Sequence, residues 1–201
     1  MSDFADTPII ELAVIVANHL QQKNIRVVLV GGLAVEIYSE NKYLTKDIDM
    51  VDISYQKPVV LHQAMAEIGF EKKGRVFINE TTDISVEFPS APISVGDELV
   101  TKTTVVETEA GRIPILFAKD VVKDRLAAYF HWQDQASLVQ ALAVIIKHPF
   151  TPADLKDFCL REGKEDEIDL ILGLLKTARK QQISNMADIE KLVIKEILRR
   201  L

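Results

Sequence analysis

The stretch Val27–Ile53, "VVLVGGLAVEIYSENKYLTKDIDMVDI", decides how the rest of this 201-residue chain is read. A short β-branched run ends in two glycines, Gly31 and Gly32. Sixteen residues after Gly31 a second apolar run begins, and it carries two aspartates one residue apart, Asp47 and Asp49. Arg26–Val30 has the composition of a buried strand, and Leu33–Tyr38 suits a short helix. Ser39–Lys46 is polar and reads as loop. Asp47–Ile53 then reads as a second strand. Side chains alternate along a strand, so Asp47 and Asp49 face the same way with Cα atoms roughly 6.5–7 Å apart. Two carboxylates held together beside Ile48 and Met50 repel each other, and a shared divalent cation removes that cost. Mg²⁺ suits such a place, because it accepts a few carboxylates and takes phosphate oxygens and water for the rest.

The glycines extend the same reading. At a strand-to-helix corner, glycine lets a ligand approach the backbone closely. The first turn of the helix then offers unpaired N–H groups to an anion. An anion cradle beside metal-binding carboxylates points to a nucleoside triphosphate, with phosphates on Gly31 and Gly32 and metal bridging to the acids. A third acid is available in Asp83–Phe88. There Ile84, Val86 and Phe88 alternate with Ser85 and Glu87, so Glu87 can lie beside Asp47 and Asp49 if the two strands are neighbours. Asp52 points to the opposite side of its strand from Asp49 and is left out of the site.

Outward from this core, Pro8 opens a helix with Ile9, Leu12, Ala13, Val16 and Leu20 at helical spacing, and Asp6–Thr7 supply a cap. Pro58–Phe70 is a second amphipathic helix. Arg75–Asn79 and Asp83–Phe88 read as a strand pair, and Pro89–Asp97 as loop. Glu98–Glu107 and Arg112–Phe117 read as a hairpin around Ala110–Gly111, and Pro114 suggests that its second strand lies at an edge. From Ala118 the pattern is helical only, with five apolar stripes, the third helix capped at Thr151–Pro152. The expected fold is therefore α+β: a mixed β-sheet core flanked by helices over residues 1–117, followed by a C-terminal helical bundle over 118–201.

Composition bounds the function. The formal net charge of −6 disfavours a broad nucleic-acid-binding surface. A lone cysteine, Cys159, forms no internal disulfide and suits a reducing cytoplasm; it reads as helix filler. No apolar stretch has the length of a membrane span, and the acidic N-terminus lacks the basic start of a secretion signal.

Strand, Gly-Gly, helix, Asp-x-Asp strand and a later acid, in this order, resemble the nucleotidyltransferase superfamily with its polymerase-β-like fold. The matching residues are Gly31, Gly32, Asp47, Asp49 and Glu87. The stretch Asp120–Trp132 is also similar to a helix that follows the core in small prokaryotic members. Two departures stand out: Gly-Gly replaces the frequent Gly-Ser, and the third acid is Glu instead of the commoner Asp. The resemblance implies a Mg²⁺-dependent enzyme that moves a nucleoside monophosphate from a triphosphate such as ATP to an acceptor hydroxyl on a small molecule, a transfer RNA or a protein. It implies two metals, one on Asp47, Asp49 and Glu87 and one on Asp47 and Asp49, with Glu87 a candidate general base. Lys42 and Lys46 in the loop and Lys123 on the first bundle helix are candidate phosphate cations, weighed against solvated lysines and a helix–helix ion pair. Tyr129 and Trp132 are weighed as base-stacking rings against core. His131 and His148 are read as structural. The alternative is a catalytically silent binding or regulatory module of the same fold, and by analogy alone a part in a toxin–antitoxin or defence system.

Overall fold

The computed structural model describes residues 3–40 and 45–200, so Lys42 lies outside the described residues. Two compact units emerge, Met1–Ala34 with Leu44–Ile93 and Leu99–Leu116, and Val35–Tyr43 with Ser94–Glu98 and Phe117–Leu201. The architecture is α+β, with a mixed seven-stranded sheet and eight α-helices among the described residues.

The first unit is built on that sheet. Its strands are β1 (Val27–Val30), β2 (Asp47–Asp52), β3 (Glu71–Lys73), β4 (Val76–Ile78), β5 (Ser85–Glu87), β8 (Thr104–Thr108) and β9 (Gly111–Ile115), in the order β3-β4-β5-β2-β1-β9-β8. Helix α1 (Ile9–Gln22) packs on β1 and β9 and beside α3 (Pro58–Glu67). Leu12, Val16 and Leu20 of α1 are wholly buried, each stabilising the unit by roughly 1.5–3 kcal/mol. In β2, Ile48 and Met50 are fully buried, as is Val86 in β5, while Asp47, Asp49, Ser85 and Glu87 on the alternate face keep some exposure. The period of two thus sets the acids apart from the core.

Several boundaries differ from the expectations. Helix α1 starts after Pro8 with no side-chain cap; the nearby carboxylate of Asp3 accepts instead from the Ala5 N–H. β3 was not anticipated, because Glu71-Lys72-Lys73 is fully exposed and lacks any apolar alternation. The expected strand from Glu98 shrinks to Thr104–Thr108, and Glu98–Leu99 (β7) pairs instead with Ser94–Val95 (β6), inside the expected loop. Pro114 misled: β9 lies between β1 and β8, and β8 is the edge. The Leu116 N–H donates to the Leu29 carbonyl of β1, so residue 114, of the same parity, also directs its nitrogen toward β1. The proline therefore costs nothing in the β8 ladder, and pairing with β1 is confined to Leu29 and Ile115.

The second unit is helical. It comprises α4 (Ala118–Trp132), α5 (Gln135–Lys147), α6 (Pro152–Arg161), α7 (Ile168–Lys180) and α8 (Met186–Arg200), with most of α2 (Gly31–Ser39), through which the unit boundary passes. Helix α5 is buried at every residue from Ser137 to Ile145. A helix apolar all round belongs inside, and α4, α7 and α8 pack against it. At the start of α6 the Thr151 hydroxyl accepts from the Asp154 N–H, and the Asp154 carboxylate accepts from the Thr151 N–H, a reciprocal capping box. These bonds to Thr151 hold the Asp154 carboxyl below its ordinary value. A depressed carboxyl stabilises the folded state above its unfolded pKa of about 4 and loses that contribution as pH falls through the lower folded value. Thr151→Ala should cost about 1 kcal/mol at pH 7, read from the urea midpoint, with a smaller difference from wild type at about pH 3.

Candidate active site

The corner between β1 and α2 is tight. Helix α2 begins at Gly31 directly after the strand, and Gly31 has φ +67°, a left-handed conformation that glycine adopts without strain. β1 and β2 are antiparallel with Val30 opposite Asp49, which brings that aspartate to the corner. A Cβ on Gly31 would lie 3.0 Å from Asp49 Cγ and 3.1 Å from its Cβ, and hard against Oδ2. The Asp49 carboxylate thus fills the space where a side chain would stand at residue 31. Gly32 is the second residue of α2, whose first turn carries no acidic side chain of its own. A carboxylate at such a helix start is favourable by about 0.3–1 kcal/mol.

Asp47 and Asp49 lie on the same face of β2, and the parallel neighbour β5 sets Ser85 beside Asp47 and Glu87 beside Asp49. The Ser85 hydroxyl donates to Asp47 Oδ1 at 2.6 Å, fixing one carboxylate oxygen. Glu87 is partnered otherwise. Its Oε1 accepts from Arg75 Nε at 3.1 Å and Nη2 at 2.9 Å. Arg75 is the second residue of the two-residue turn between β3 and β4, after Gly74 at φ +63°, as a turn with glycine in its first position requires. The strand register places the three acids on neighbouring positions, but the Glu87 head group is taken by a guanidinium. Among the described residues no group of three or more His, Cys, Asp or Glu side chains could hold a metal ion. The donor set that fits a hard cation here is the Asp47–Asp49 pair, two oxygen ligands that leave positions for phosphate and water.

Among the described residues, the candidate cations Lys46 and Lys123 are occupied. Lys46 forms an ion pair with Asp83 and holds that carboxyl below its ordinary value. Lys123, in the second unit, lies 2.9 Å from Glu98 Oε2 and over the Phe158 ring, and Arg161 also pairs with Glu98. Asp52 caps the turn after β2, accepting from the N–H groups of Ser54 and Gln56. His131 meets Glu162 at 2.7 Å, and His148 donates to the Tyr38 carbonyl at 2.9 Å, both structural contacts. Tyr129 donates to Glu167, and burial pushes its hydroxyl pKa up; Trp132 is exposed. Cys159 is buried and its thiol is pushed up to about 11, chiefly by desolvation, which keeps it protonated.

Sequence reasoning missed Ser85 and Arg75 as site residues. Alternation along Asp83–Phe88 puts Ser85 on the Glu87 face, yet only the strand register shows that it meets Asp47. Arg75 carried no signal beyond its place after Gly74 in a short hairpin.

No family model matches the chain, and no curated protein matches it. The chain is similar to the solution structure of the antibiotic-resistance factor ANT(2'')-Ia, at 12% identity and a TM-score of 0.40, with 86% of this chain and 94% of that one covered. That likeness is too slight to transfer any chemistry. No helix among the described residues is long and apolar enough to cross a membrane.

Proposed function

We propose that this chain is a Mg²⁺-dependent nucleotidyltransferase, moving a nucleoside monophosphate from a triphosphate to an acceptor hydroxyl. One observation carries the reading: Asp49, on the same strand face as Asp47, is seated against the bare Gly31 start of α2, with Glu87 in register beside it. Carboxylates and an anion-binding helix start side by side are what a metal–triphosphate complex needs.

Each residue has a role in this reading. The first-turn N–H groups at Gly31 and Gly32 receive phosphate oxygens. Asp47 and Asp49 would hold the metal, and Ser85 orients Asp47. Mg²⁺ bound there would offset charge on the triphosphate and lower the pKa of the acceptor hydroxyl. The acceptor oxygen bonds to the α-phosphorus, the bond from that phosphorus to the bridging oxygen breaks, and pyrophosphate leaves. Glu87 takes the acceptor proton as general base once its carboxylate is released from Arg75, and would then be placed to join Asp47 and Asp49 in holding metal. Positioning and electrostatics supply most of the acceleration in such transfers.

The acceptor class follows from labelling. The protein is incubated with Mg²⁺, each α-labelled triphosphate in turn and a cell extract. Transfer of label with pyrophosphate release is expected for wild type and not for Asp47→Asn. Equal labelling by both proteins sinks the proposal. The hold of Arg75 on Glu87 is the one observation that favours a silent nucleotide-binding module, which would bind triphosphate and release no pyrophosphate.

A further inference from the structure

Arg75 is exposed and Glu87 is half-buried; their side chains are 87% and 25% accessible. The pair joins the β3–β4 turn to the strand position beside Asp49. Two of the guanidinium nitrogens bind one oxygen of Glu87, and Nη1 donates to none of the described residues. Exposed ion pairs are weak and exchange partners readily. A guanidinium has a geometry that phosphate oxygens match in two-point fashion, and a triphosphate carries far more negative charge than one carboxylate. The candidate lysine of the first unit does not offer this. Lys46 is held by Asp83, and it lacks the planar fork.

We propose that Arg75 is an exchangeable clamp: it holds the Glu87 carboxylate while the site is empty of nucleotide and transfers to the phosphates when a triphosphate arrives, freeing Glu87 beside Asp49. The inference rests on the nucleotidyltransferase reading of the same site. It makes Arg75 a substrate-binding residue and couples triphosphate binding to completion of the acidic triad. The third carboxylate becomes available when there is a phosphate group to act on. No covalent step is involved; one ion pair replaces another.

The exchange has a signature that a merely structural ion pair lacks. Arg75→Ala should move two affinities in opposite directions. Without nucleotide, Mn²⁺ binding followed by electron paramagnetic resonance should tighten about tenfold, because Glu87 is free to join Asp47 and Asp49. With metal removed by chelator, ATP binding followed by calorimetry should weaken about tenfold, because the phosphates lose their clamp. These factors are of the size expected for one charge-assisted bond or one metal ligand. Lys73→Ala removes the same charge from the neighbouring strand with the Arg75–Glu87 pair in place, and should shift either affinity by less than about twofold, as surface charges do. Arg75→Ala/Glu87→Gln should lose the gain in Mn²⁺ affinity and keep the deficit in ATP affinity.

If Arg75→Ala leaves both affinities within twofold of wild type, or weakens both, or if Lys73→Ala reproduces its effect, the clamp is wrong. The nucleotidyltransferase reading survives those results. Should wild type bind neither Mn²⁺ nor ATP at millimolar concentration, both fall together.

Discussion

The Asp49→Asn protein is expected to fold as wild type does and, on the proposed function, to lose at least about a thousandfold in turnover, the scale of removing a principal electrostatic contact from a phosphoryl-transfer site. The substitution is nearly isosteric, so the fit against the Gly31 corner is kept. What changes is charge and donor capacity. An amide offers one neutral oxygen where the carboxylate offers two charged ones, and a hard cation discriminates strongly between them. Folding should not suffer. Removing one of two carboxylates on the same strand face relieves their repulsion, while the start of α2 loses a favourable negative charge of about 0.3–1 kcal/mol; the two oppose each other, so the urea midpoint should stay close to that of wild type. Turnover by pyrophosphate release and stability by urea unfolding are measured on the same preparation. A variant that keeps a tenth of the wild-type rate would mean that Asp49 does not hold the metal.

The second large effect is expected at Gly31. An alanine there has to adopt φ +67°, and its Cβ collides with the Asp49 carboxylate. The left-handed conformation alone costs about 1–2 kcal/mol for an L-residue, and the collision adds to it. Gly31→Ala should therefore destabilise by about 2–3 kcal/mol. Gly74 supplies the control. It has nearly the same φ, +63°, yet a Cβ there meets nothing within 4 Å, so Gly74→Ala bears only the backbone cost. The difference between the two variants isolates the contact with Asp49. Because that contact would move a residue proposed to hold the metal, Gly31→Ala should on the proposed function also lose about a hundredfold in turnover, the penalty of an ångström-scale misplacement at a reacting centre. Equal stability losses at the two glycines, with full activity in Gly31→Ala, would separate Asp49 from the corner.

Much of the geometry of this candidate site is legible in the sequence. The period of two in Asp47–Asp52 put both aspartates on one face. The glycine pair after a β-branched run located the corner, and the alternation in Asp83–Phe88 picked Glu87 and not Ile84. Local periodicity carries such information because it is a property of a few consecutive residues. Register is not. That Glu87 stands beside Asp49, and Ser85 beside Asp47, depends on how two strands from distant parts of the chain slide against each other. Nothing within either segment encodes that offset. The Arg75–Glu87 pair lies one step further on, since it needs the register and the turn together. Pro114 failed for a related reason. A proline excludes a donor on one side only, and which neighbour that side faces is decided by the whole sheet.

One end of the sheet is the three-residue strand Glu71-Lys72-Lys73, and every residue in it is exposed. An unpaired strand edge is an invitation to a foreign strand, and the end of a sheet is where fibrils start. Here the invitation is withdrawn by brevity and by charge: an incoming chain would gain few main-chain bonds and would have to strip water from two ammonium groups and a carboxylate. The least core-like segment of the unit thus disfavours joining of copies sheet to sheet along that border, next to the exposed Arg75 turn.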